Sequence, residues 1–88
     1  MLNWRQRMRQ STPTPLTLEE HRELGGELRQ TRARLHKLCD LVMTVYGPNN
    51  RAAFDFQKTA EAMDRLCAEL QAQAARDLPG FETDGFYG

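Results

Sequence analysis

Nowhere in this chain do 18 apolar residues run together, so no transmembrane helix is expected. The opening "MLNWRQRMRQ" lacks the apolar run of a secretory signal. Only two cysteines are present, Cys39 and Cys67. They form no CxxC and no zinc-finger spacing, and a secreted disulfide scaffold of this size usually carries four or more. Together these absences lead us to expect a cytoplasmic protein. There is no glycine-rich phosphate loop, no nucleophile elbow and no HExxH, so we expect neither an enzyme nor a cofactor. The Glu-x-x-His of di-iron bundles is missing too: Ala33 stands three before His36, and Leu18 three before His21. His36, Cys39 and Asp40 share one helical turn but have no evident fourth ligand, so no metal site is expected.

An excess of either charge is also lacking. Twelve basic residues balance twelve acidic ones, which argues against a general polyanion binder. The charges are unevenly placed, however. Residues 1–38 hold eight basic residues against four acidic, and residues 39–88 hold four against eight. The two halves can pair within one chain or between copies.

What is present is helical patterning. A basic arm and a Pro/Thr linker occupy residues 1–16, ending in the extended "STPTPLT". "TLEE" is a capping box, with Thr17 and Glu20 as reciprocal partners, and starts a helix predicted over 17–46. "YGPNN" ends it: Gly47 suits a C-terminal cap and Pro48 cannot continue the ladder. After a turn at 47–50, capped by Asn49 or Asn50, a second helix is expected over 51–78. Pro79-Gly80 ends that helix, leaving an aromatic, glycine-containing tail at 79–88.

Both helices carry heptads. Leu28, Leu35 and Val42 sit at a in the first, with Leu24, Thr31, Leu38 and Val45 at d. The second has Ala60, Cys67 and Ala74 at a, and Phe56, Met63 and Leu70 at d. An antiparallel pairing in which position numbers sum to 98 opposes a to d throughout, and its centre, residue 49, falls inside "GPNN". Turn chemistry and seam pattern agree, so the fold class predicted is all-α, a long antiparallel helical hairpin. This register sets Arg32 against Asp64, both at e, and His21 against Asp77. Gly25-Gly26 inside the first helix costs ~1 kcal/mol per glycine relative to alanine, and is read either as a kink or close helix approach, or as simply tolerated.

The hairpin leaves apolar residues over. Leu41 and Leu66 lie at g, Tyr46 at e, and Phe54 is off the seam; Phe81, Phe86 and Tyr87 belong to the tail. A wider apolar face calls for more helices, most economically from a second copy, giving a dimeric four-helix bundle. These seven residues form the expected interface, in a non-enzymatic oligomerisation or adaptor module with a larger protein partner. The alternative is a small nucleic-acid-associated regulatory protein. It would use Trp4, Arg5, Arg7 and Arg9 of the arm, with Arg29 and Arg32 in support. The basic positions of "LRQTRARLHKL" are spread over roughly 200° of the helix, which favours a solvated flank of the seam over a groove-reading face.

Overall fold

The computed structural model describes residues 14–88, and among these there are two helices and no strand. Helix α1 spans Leu18–Tyr46 and helix α2 spans Arg51–Asp77. The start of α1 is held by the capping box. The Glu20 N–H donates to Thr17 Oγ1 at 3.2 Å, and the Thr17 N–H donates to Glu20 Oε1 at 2.8 Å. At the other end the Gly47 N–H donates to the Met43 carbonyl, and the chain turns with Gly47 at φ 81°. Asn50 caps α2 by accepting from the Ala53 N–H at 3.0 Å. The short turn forces the helices antiparallel, and they pack on one another along their length.

The buried line between them is made of small side chains. Helix α2 contributes Ala53, Ala60, Cys67 and Ala74, seven residues apart, and α1 contributes His21, Gly25 and Cys39. Larger residues, Phe56, Met63 and Leu70 on α2 and Leu28 and Leu35 on α1, are half-buried beside it. Three of the expected seam positions are not in the seam. Thr31, Leu38 and Val45 stand at d in the pattern, yet they are exposed. Of the d positions only Leu24 packs on the core, while at e Cys39 is buried and Arg32 reaches across to Asp64, so α1 is rolled toward its e side. The sizes of the side chains account for this. Cys39 at e lets the alanine line of α2 come close, where Leu38 at d would hold it away.

The chain does not stop contributing at Asp77. Residues 79–88 fold back across the open end of the hairpin as a strap. Gly80, at φ 88°, turns the chain, and the Phe81 N–H donates to the Leu78 carbonyl. A second turn is closed by the Phe86 N–H on the Thr83 carbonyl, with Gly85 at φ 80° where a type II turn requires it. Tyr87 is thereby driven into the core beside Cys67 and Ala74, with Leu24, Leu28 and Phe86 packed around it.

Both cysteines are buried and free. In the antiparallel register Cys67 lies at the level of Thr31, eight residues and so ~12 Å along the axis from Cys39. A disulfide needs Cα atoms within about 7 Å. Non-reducing mass spectrometry of oxidised, folded chain is therefore expected to find both thiols free, and a Cys39–Cys67 bond would contradict the register.

Candidate functional site

Two polar clusters and one apolar face are the chemical features of the hairpin. The first cluster lies at the open end, under the strap. His21 is completely buried. Its Nε2–H donates to Asp77 Oδ2 at 2.9 Å, and its Nδ1 lies 2.7 Å from the Tyr87 hydroxyl. A carboxylate only accepts, so the proton belongs on Nε2; in the neutral ring Nδ1 then accepts from Tyr87. The rings meet edge to face at 5.8 Å. The His21 bond holds the Asp77 carboxyl below its ordinary range. Burial, reinforced by the Asp77 carboxylate, pushes the Tyr87 phenol up to about 12.

The strap is gripped at its backbone as well. The Gln71 side chain donates from Nε2 to the Thr83 carbonyl at 2.6 Å and accepts the Tyr87 N–H at 3.0 Å. Gly25 lies directly beneath Phe86. A Cβ placed there would overlap the Phe86 carbonyl oxygen, with the carbonyl carbon 2.7 Å away. The Arg22 guanidinium stacks over the Phe86 ring, 5.7 Å from its centre.

The second cluster crosses the middle of the hairpin. Arg32 Nε and His36 Nε2 both donate to Asp64 Oδ1, each at 2.8 Å. The His36 bond first, and the Arg32 bond second, hold the Asp64 carboxyl below its ordinary range. All three side chains are partly solvated, so this cluster sets register more than it adds stability. Arg32→Glu should lower the melting temperature slightly, and Asp64→Arg in the same chain should recover much of the loss. The wild-type advantage should be present above the ordinary carboxylate pKa and disappear as pH falls through the depressed one. Melts of the single and double variants at neutral and acid pH check both points.

The apolar face lies opposite this cluster. On α1, Leu38, Leu41 and Val45 stand on the side of Leu35 away from Arg32. On α2, Leu66 stands on the side of Cys67 away from Asp64. Since Arg32 and Asp64 meet across one face, these four share the other, along ~20 Å of hairpin. They are 39, 58, 61 and 44% exposed.

The expected interface residues thus separate into groups. Leu41 and Leu66 lie on the common face. Tyr46 and Phe54 are exposed at the turn end, with the Lys58 ammonium over the Phe54 ring. Phe81 is exposed on the strap. Phe86 is half-buried and Tyr87 is only 1% exposed, so both face their own hairpin rather than solvent. Among the nucleic-acid candidates, Arg32 is committed to Asp64, and Arg29 Nε reaches back to the Gly25 carbonyl at 3.4 Å. Trp4, Arg5, Arg7 and Arg9 lie outside the described residues. His36, Cys39 and Asp40 line a shallow groove of about 270 Å³ with Met43, Gln57 and Glu61, and His36 is turned away to Asp64. Among the described residues, no three His, Cys, Asp or Glu side chains converge.

Gln71, Thr83 and Gly25 act at the strap, and the heptad pattern does not single them out for that role. The signal is present in part. Gly25 falls on the same side of α1 as His21, and an aromatic pair follows the last helix.

No family model matches the chain, and no curated protein or solved structure does. Among the described residues, no helix is long and apolar enough to cross a membrane.

Proposed function

We propose that this chain is a non-enzymatic interaction module that self-associates through the Leu38–Leu41–Val45–Leu66 face, pairing two hairpins into a four-helix bundle. A larger protein partner would dock on that assembly, in the cytoplasm. The observation that carries this reading is that Leu38, Leu41, Val45 and Leu66 stand 39–61% exposed on one face, while the fully buried line of α2 is made of alanine and cysteine. The exposed stripe amounts to roughly 400 Å² per copy, about the size of the largest patch on an ordinary monomer.

Covering it removes apolar surface from water, which favours association. The second copy is also the economical occupant, because a two-fold axis presents each leucine to the same stripe twice.

Sedimentation equilibrium at micromolar concentration tests the assembly. Twice the 10.1 kDa chain mass is the expected result. A fully helical monomer at high micromolar concentration would dismiss it.

A further inference from the structure

The strap lies on the face opposite the exposed leucines, and it is seated the way a bound peptide is seated. Three kinds of contact hold it. Gln71 reads main chain at two points, the Thr83 carbonyl and the Tyr87 N–H. Gly25 opens a notch into which the Phe86 carbonyl fits, a contact with backbone that any residue possesses. The side chains are then selected at two positions. Phe86 lies under the Arg22 guanidinium, and Tyr87 enters a pocket floored by Cys67 and Ala74, with His21 placed to take its hydroxyl. The position after Tyr87 is restricted as well, because Gly88 stands at φ 108°, a conformation that L side chains rarely adopt. Backbone gripped by a side-chain amide, with specificity from two adjacent aromatics, is a peptide-recognition arrangement.

We propose that the groove formed by Gly25, His21, Gln71 and Ala74 is a docking site for a turn-forming segment of a partner protein carrying an adjacent Phe–Tyr pair followed by a glycine. The strap is its resident occupant. A partner segment competes with a tethered ligand, so the strap sets an affinity threshold: only a segment that outmatches the high local concentration of the tether displaces it. Release of the strap also unseats Tyr87 from the core, which makes binding and local opening one event. This site is separate from the leucine stripe, and either surface can fail without the other.

The test uses the full chain with Tyr87→Ala, which empties the pocket and leaves the groove walls intact. A fluorescein-labelled peptide of residues 79–88, PGFETDGFYG, is titrated and followed by anisotropy. The variant is expected to bind it at least ten-fold more tightly than wild type, whose groove is filled. A peptide with alanine in place of its tyrosine is expected not to bind, and adding Gly25→Val to the variant should abolish binding of the parent peptide. A helical Tyr87→Ala chain that rejects the peptide, or takes both peptides equally, would overturn the proposal. So would a variant that rejects the peptide yet captures wild-type chain, since that assigns the groove to strap exchange between copies. Should Tyr87→Ala lose its helices, hydrogen exchange on wild type decides. The amides of Phe86 and Tyr87 are expected to exchange at least ten-fold faster than the α2 amides near Cys67. Exchange of the strap only with global unfolding would mean that the groove is never free, and would refute it.

Discussion

Gly25→Ala is expected to lower the melting temperature by about 10–20 °C, although alanine is the better helix former. Propensity alone would raise stability by ~1 kcal/mol. The new methyl group would instead overlap the Phe86 carbonyl, and backbone cannot swing aside as a flexible side chain can. The strap must lift, and Tyr87 leaves the core with it. Removing a large aromatic from a core costs ~3–5 kcal/mol, so the net loss is about 2–4 kcal/mol. A domain of this size moves ~4–8 °C per kcal/mol. Gly26 supplies the internal control. Its added Cβ would meet only an Arg29 nitrogen at 3.8 Å, so Gly26→Ala should gain the propensity term and melt several degrees higher. The two neighbours are thus expected to move in opposite directions in circular dichroism melts at equal protein concentration. A rise in both would show that the strap does not bear on α1.

The second large effect is expected at the leucine stripe. Leu66→Glu should weaken self-association at least ~100-fold, because a carboxylate buried at an interface without a partner costs several kcal/mol. Two-fold symmetry enters the charge twice. Leu66 is 44% exposed in the single hairpin, so the same change should leave helicity almost intact. Leu41→Glu should behave alike, being 58% exposed on the same face. Phe54→Glu, on a different side of α2, is the control and should not alter the mass found by sedimentation. Loss of association with Phe54→Glu but not with Leu66→Glu would place the interface elsewhere.

Features that rest on local chemistry are legible in the amino-acid sequence. Thr17 with Glu20, Gly47 with Pro48, and Asn50 each fix a helix end through atoms a few residues apart, and such rules hold in isolation. The register is legible as well: Arg32 does meet Asp64, and His21 does meet Asp77. Both depend only on turn length and repeat. The roll of α1 about its own axis is not legible. A heptad template weighs Leu38 at d above Cys39 at e, since it scores side-chain pattern and not how closely two helices can come. The fate of Phe86 and Tyr87 is hidden for a related reason. Apolar residues after a helix end look like a surface for others until something shows that they return to their own chain. That clue is Gly25, read as a kink, a close helix approach or plain tolerance. The approach is real, but it comes from the strap backbone and not from a second helix.

The contact between His21 and Tyr87 joins positions 66 residues apart. Its consequence is one of timing. A hairpin closes from its turn outward, each new pair adding little to the loop already formed, so Tyr46 and Arg51 come together early and Leu18 and Asp77 late. Zippered helices fray at the end farthest from the turn, and there the strap crosses from one helix to the other. It ties the two loose ends only after the rest has assembled. The last contact to form is therefore the one that keeps the first from being undone.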